Sequence, residues 1–285
     1  MGFQNFTGRR INMILDHFVS PEGATLVEFD YAQLEIRVLA LASRDRQLVY
    51  DINNGVDMHT YFASKIYRKP ESEVSGEERR VAKGFSFQLQ YGAAAKGIAS
   101  FWDVPEQMAK DFIESYYDRY PGVKDWQDSV QKEAETTIDQ RGDRVGDESI
   151  HSCYIPSIWK DPETGESITR YRTLCNISNY SGKPYAPPTK CKNYPIQGAA
   201  SDIVTMMLTR LTRLHDPRVR LVNSVHDSLL FEIDDEALEQ SIPKIHSQLE
   251  RVPEVIQKVF SVTSPVPFPV DYDSGKTLAK VKNKA

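Results

Sequence analysis

Ala24-Thr25-Leu26-Val27-Glu28-Phe29-Asp30 runs without a break into Tyr31-Ala32-Gln33-Leu34-Glu35-Ile36-Arg37-Val38-Leu39-Ala40-Leu41-Ala42. The first segment is rich in residues that suit a half-buried sheet and reads as a β-strand. The second changes period: Leu34, Val38 and Leu41 fall on one helical face. Asp30 therefore closes a strand just before a helix, where a rigid backbone can carry a carboxylate into a cleft. Working outward, helical patterns follow one another: residues 57–70 around His59, ending before Lys69-Pro70, then 77–91, then 106–120 with Asp103 or a neighbour as cap, then 123–140 after Pro121-Gly122. The next strand pair comes only at 218–225 and 229–233, a hairpin with Asp227 at its tip. Several helices between one strand and the next strand pair describe a helical subdomain inserted into a sheet-based one, an α+β fold.

Around that frame, a helix is expected from about Gln197 to His215, an amphipathic helix broken near Pro253 over 235–260, and an edge strand within 265–273. Residues 141–192, dominated by Gly, Pro, Ser and charge, read as loops or a small β-ribbon. The lysine-rich end, 275–285, reads as a fraying tail.

The helix at 77–91 carries a pattern of its own. Arg79, Lys83, Phe87 and Tyr91 recur every four residues and form one slowly winding stripe, two cations followed by two rings. Cations match phosphate oxygens and rings match bases, so the stripe is suited to a nucleoside triphosphate. An ordinary amphipathic helix with a solvated charged face is the competing reading.

The 285 residues suffice for one large domain or two smaller ones. A net charge of −5 gives no global attraction to nucleic acid, so binding a polyanion would rest on local patches. Cys153, Cys175 and Cys191 form no CxxC pair, which points to free reduced thiols rather than a zinc site with His151. No apolar run approaches the ~20 residues of a membrane span. Met1 to Arg10 lacks a signal-peptide pattern, so a cytoplasmic location is expected, that of the host if the gene is viral. Asp30 and Asp227 are each more often turn or cap residues. Facing one point, however, they would form a hard oxygen donor pair suited to Mg²⁺.

Three segments resemble the polymerase motifs of family A DNA polymerases, the bacterial DNA polymerase I class with its phage relatives. Asp30-Tyr31-Ala32-Gln33-Leu34-Glu35-Ile36-Arg37 resembles motif A, Arg79 through Gly92 motif B, and Val225-His226-Asp227-Ser228 motif C. Three satellites follow in the family's order: Asp57-Met58-His59, Arg119-Tyr120-Pro121-Gly122-Val123 and Asn193-Tyr194-Pro195-Ile196-Gln197-Gly198. The resemblance implies an antiparallel palm sheet with helices on one face and an inserted helical fingers subdomain. It implies a palm over 1–56, fingers over 57–140, an irregular insertion over 141–192 and the second part of the palm over 193–285.

It also implies roles. Asp30 and Asp227, with the Tyr31 carbonyl, would bind two Mg²⁺ ions. Arg79, Lys83 and His59 would hold the triphosphate, with Lys83 as proton donor to the leaving pyrophosphate. Phe87 would pack near the incoming base and sugar, and Gln33 and Glu35 would belong to the nucleotide set, Glu35 as the gate against a ribose 2′-OH. Tyr91, Asn193, Gln197 and His226 would contact primer or template DNA.

The chain departs from the family pattern in places. Ser228 stands where the family has Glu, Ser86-Phe87-Gln88 replaces Asn-Phe-Gly, and Thr189 replaces an Arg before Asn193. Only some thirty residues precede Asp30, beginning near a family-like Phe3-Gln4-Asn5, so neither thumb nor exonuclease domain is expected. The expectation is a split DNA polymerase or a fragment of one, acting on primer–template DNA and dNTPs, with a second polypeptide carrying the thumb and 3′–5′ exonuclease. A non-catalytic accessory module keeping the scaffold is the alternative. A single-subunit RNA polymerase shares the palm, but Gln33 and Glu35 argue against it.

Overall fold

The computed structural model describes residues 15–145 and 148–282, which leaves the Phe3-Gln4-Asn5 segment and Arg9-Arg10 outside the described residues. In chain order the main elements are β1 (Ala24–Tyr31), α1 (Leu34–Ser43), α2 (Arg46–Asn53), α3 (Met58–Tyr67), α4 (Gly76–Gln90), α5 (Ala95–Trp102), α6 (Glu106–Arg119) and α7 (Pro121–Thr136). Six short strands follow, β2 (Asp143–Val145), β3 (Glu148–Ile150), β4 (Ser152–Pro156), β5 (Arg170–Leu174), β6 (Asn176–Ile177) and β7 (Pro184–Tyr185). The chain closes with α8 (Pro188–Leu211), β8 (Val219–Val225), β9 (Ser228–Asp234), α9 (Leu238–Leu249), α10 (Val252–Phe260), β10 (Val270–Gly275) and α11 (Leu278–Lys282). It divides into two compact units, residues 1–34 with 200–285, and residues 35–199.

The first unit is built on one antiparallel sheet of order β10-β1-β9-β8. β1 is central, buried along nearly its whole length, and pairs with β9 from Ala24↔Asp234 to Asp30↔Ser228 and with β10 from Leu26↔Gly275 to Tyr31↔Val270. Side chains alternate between the two faces of a strand. Phe29 and Tyr31 lie on one face, where Phe29 meets Phe231 edge-on and Tyr272 at ring distances of 5.8 Å, and the Tyr31 hydroxyl donates to Leu249 O at 2.9 Å. Burying Phe29, Tyr31 and Phe231 drives assembly of that side. Glu28 and Asp30 fall on the opposite face, in register with Ser228 and Leu230 of β9 and with Asp271 and Asp273 of β10.

The α+β class and the antiparallel sheet are as the sequence predicts. Several elements differ. β10 does lie at an edge. The terminal segment does not fray through its described part: Leu278 and Val281 of α11 are buried against Leu26 and Leu230. The spacing of those two apolar residues is the signal that the lysines hid. The helix expected over 235–260 is two, α9 and α10, with Pro253 in the first turn of α10 where its missing N–H costs nothing.

The second unit is mainly helical. Its core is a cluster of rings: Phe62 of α3 with Phe112, Tyr116 and Tyr120, and Phe85 of α4 with Phe112. Two helices here lie in stretches the sequence left unassigned, α2 and α5. Asp103 is not the cap of α6; it ends α5 in the left-handed conformation (φ +52°), and α6 starts after Pro105 without a side-chain cap. α8 begins at Pro188, nine residues earlier than about Gln197, and carries Pro195 inside it. Residues 143–185 form three two-stranded antiparallel ribbons, β2–β3, β4–β5 and β6–β7, consistent with the expected small β structure.

The satellite Arg119-Tyr120-Pro121-Gly122 turns out to be structural. Asp51 of α2, completely buried, accepts two bonds from Arg119 at 2.8 Å each and one from the Tyr120 hydroxyl at 2.7 Å. Arg119 also lies over the Tyr61 ring at 3.9 Å, and Asp45 caps both α2 and the start of α7 through Leu48 N and Gly122 N. A buried carboxylate is tolerable only when paired and hydrogen-bonded in this way.

Candidate active site

In the first unit the ladder between β1 and β9 brings the two predicted aspartates together. Asp30 pairs with Ser228, and the next rung is the bond from Tyr31 N–H to the carbonyl of Asp227 at 3.3 Å. Asp227 therefore sits one ladder step from Asp30, although most of the chain separates them in sequence. The N–H and C=O of one strand residue point the same way, so the Tyr31 carbonyl also faces the Asp227 turn.

Backbone strain marks both turns. His226 (φ +53°), the first residue of the two-residue β8–β9 link, and Gln33 (φ +55°), between β1 and α1, are left-handed without being glycine. Such conformations cost about 1 kcal/mol or more and persist where the surroundings fix them. Gln33 and His226 are both exposed.

The donor chemistry of this pair suits a divalent cation: two carboxylates and a backbone carbonyl are hard oxygen ligands. Among the described residues no set of three or more His, Cys, Asp or Glu is arranged to hold a metal. The family's third carboxylate is absent: Ser228 is buried and its hydroxyl donates to Val225 O at 3.2 Å, closing the turn instead.

In the second unit α4 carries the predicted stripe. Ser75 and Glu78 form a capping box at its start, Ala82, Phe85, Ser86 and Leu89 are buried, and Arg79, Lys83 and Phe87 are exposed on the other side. Lys83 Nζ lies 5.7 Å from the Phe87 ring centre. Replacement of the family's Asn-Phe-Gly does not interrupt the helix. Ser86 returns its hydroxyl to Ala82 O at 2.9 Å, and Gln88 is accommodated half-buried.

Two glycines set the helix against its neighbours. A Cβ on Gly84 would lie 1.8 Å from the Trp102 ring of α5, and one on Gly92, which is left-handed at φ +77°, would lie 2.9 Å from Pro188 O.

His59, in the first turn of α3, faces the same group. Burial first, then Arg79 and Lys83, push its imidazole down to about 4, against the upward pull of Asp57. It is therefore neutral at neutral pH, and its buried Nδ1 has no hydrogen-bond partner among the described residues.

Asp57, quoted in the sequence motif without a role, caps α3 through Thr60 N–H at 3.2 Å and accepts Arg79 Nε at 2.7 Å. Sequence spacing cannot reveal that second bond, because it joins two helices.

At the far end of the stripe the Tyr91 hydroxyl donates to Glu35 Oε2 at 2.6 Å. Glu35, Leu39, Gln90, Tyr91, Asn193 and Ile196 line one small cavity, and the buried Asn193 Oδ1 has no partner among the described residues. Gln197, one turn further along α8, is exposed. The structure thus gathers Asp30, Tyr31, Asp227 and His226 in one unit. In the other it gathers His59, Arg79, Lys83 and Phe87 around the stripe, and Glu35, Tyr91 and Asn193 around the cavity.

The profile of DNA polymerase family A matches residues 3–280, and the chain belongs to that family. It is 33% identical over 281 residues to DNA polymerase I of Geobacillus stearothermophilus, covering 96% of this chain and 28% of the relative. It is 32% identical over 249 residues to DNA polymerase I of Rhizobium leguminosarum, covering 85% of this chain and 22% of that relative. Among solved structures it is similar to the polymerase domain of Pol1 from M. smegmatis in complex with DNA primer-template and dNTP. That likeness has a TM-score of 0.75 at 27% identity and covers 98% of this chain and 45% of that one. The chain spans less than a third of the length of these curated relatives, which are bacterial. No helix among the described residues is long and apolar enough to cross a membrane.

Proposed function

We propose that the chain is the palm-and-fingers catalytic module of a DNA polymerase, transferring deoxynucleotides to a primer 3′-OH as a template directs. The observation that carries this reading is the adjacency of Asp30, on β1, and Asp227, in the β8–β9 turn one ladder step away. These two aspartates, with the Tyr31 carbonyl, would hold two Mg²⁺ ions, which supply charge neutralisation for the attacking and leaving oxygens. Arg79 and Lys83 neutralise the triphosphate, and Lys83 is placed in this reading to protonate the leaving pyrophosphate. Phe87 and Tyr91 present ring faces to the base and template, and Gln33 and Glu35 attend the sugar. Asn193, Gln197 and His226 contact the duplex. Thumb contacts and 3′–5′ proofreading would come from a second polypeptide, and duplex grip depends on phosphate contacts that such a partner would add.

Primer extension with purified chain, dNTPs and Mg²⁺ tests the reading. Asp227→Ala should lower incorporation on the order of a thousandfold with the melting temperature nearly unchanged, and full extension by that variant would refute it. A non-catalytic scaffold is the second reading, favoured by the buried Ser228 in place of a carboxylate. Absence of extension by the wild type, alone and with a thumb-bearing partner chain, together with retained DNA binding, would establish it.

A further inference from the structure

The two neighbouring arginines of α4 are used differently. Arg80 gives both Nε and Nη2 to Glu77 at 2.9 and 2.6 Å and lies over the Trp102 ring at 5.4 Å, so its fork is spent on its own surroundings. Among the described residues Arg79 is held through Nε alone, by Asp57 Oδ2 at 2.7 Å. The opposite edge of that guanidinium, with its terminal N–H groups, remains available for a second, bidentate acceptor.

Asp57 brings a carboxylate beside these cations. As the cap of α3 it accepts Thr60 N–H on Oδ1 at 3.2 Å and the Thr60 hydroxyl on Oδ2 at 2.7 Å. Serine, threonine or asparagine would cap as well without charge. A carboxylate beside a patch meant for phosphate opposes the ligand by simple repulsion. It is moreover firmly ionised: against the upward push of burial, the Arg79 guanidinium and the two Thr60 donors hold it at about 2. An ionised cap next to an anion site is understandable if its charge does something a neutral cap cannot.

Resting on the polymerase reading above, the geometry points to Asp57 as a positioning residue for the nucleoside triphosphate. It grips the Nε edge of Arg79, fixes the guanidinium against α3, and turns its terminal nitrogens toward the phosphates. Because the same carboxylate caps the helix that carries His59, one side chain sets two phosphate-facing groups at once. The gain is preorganisation: a free arginine loses rotamer freedom on binding, and one already held loses less.

Asp57→Asn tests this, because the amide keeps the capping oxygen and loses the charged acceptor for Nε. Steady-state incorporation and equilibrium binding of dATP with Mg²⁺ are both measured. The expected result is a KM and a dissociation constant for dATP raised about tenfold, kcat within twofold, and an unchanged melting temperature. Thr60→Val, which removes only the hydroxyl contact to the same carboxylate, should leave KM near wild type. In an Arg79→Ala background Asp57→Asn should add no further loss. An unchanged or improved KM in Asp57→Asn, or an equal loss with and without Arg79, would overturn the proposal and leave Asp57 as a helix cap. If the wild type itself neither binds nor incorporates dATP, the polymerase reading fails first, and the proposal falls with it.

Discussion

His59 offers a residue-scale measurement independent of turnover. Its imidazole is pushed down to about 4 by burial and by Arg79 and Lys83, against Asp57, whereas in the unfolded chain it titrates near 6.5. Between those values the unfolded state binds more protons, so stability is full above about pH 6.5 and falls as the pH drops toward 4. After discounting for solvent screening the loss is on the order of 1–2 kcal/mol. Urea denaturation at pH 7 and pH 5 should show it, and His59→Gln should flatten the difference. Glu35 carries a second expectation: Glu35→Ala removes the acceptor of the Tyr91 hydroxyl and opens the cavity they share, so discrimination between dNTP and rNTP should fall. Asp30, Asp227 and the exposed stripe were legible in the sequence because strand ends and helical spacing are local facts. The bond from Arg79 to Asp57 and the burial of Asn193 Oδ1 were not, because they join elements whose mutual placement no local pattern encodes.

At the scale of elements, short helices were the least readable. α2 and α5 are eight residues each, too short for periodicity to stand out, and their ends are set by Asp45 at the start of α2 and the left-handed Asp103 after α5. Their packing is nevertheless exacting. Gly84→Ala would drive a methyl into the Trp102 ring and force α4 and α5 apart, at a cost of about 1–3 kcal/mol. A thermal melt should register this loss, and Trp102→Leu in the same chain should recover part of it. The Asp51 knot linking α2 with the end of α6 and the start of α7 is more demanding. Asp51→Ala strands the Arg119 guanidinium and the Tyr120 hydroxyl and should cost about 3–5 kcal/mol. Loss of activity in that variant should follow loss of folded protein, which circular dichroism separates from a catalytic defect.

At the scale of the whole molecule, the net charge of −5 gives no general attraction to a polyanion, so the proposed function rests on local clusters of cations. The three cysteines, distant in sequence, share one small core: Cys153 and Cys191 are wholly buried and Cys175 packs against them. Burial pushes the thiols of Cys153 and Cys191 up to about 12, so a disulfide-exchange reagent at pH 8 should meet almost no thiolate there. Half-buried Cys175 is expected to label first, and all three to label together only in denaturant.

That core also includes Tyr171 of the β4–β5 ribbon, whose hydroxyl lies so near Gly198 of α8 that a single added methyl carbon would stand 1.9 Å from its oxygen. The ribbon's ring is thus seated directly on bare helix backbone, one residue after Gln197 and five after Asn193. A side chain at position 198 would have to lift the ribbon off the helix, so the seating of β4–β5 on α8 depends on that glycine.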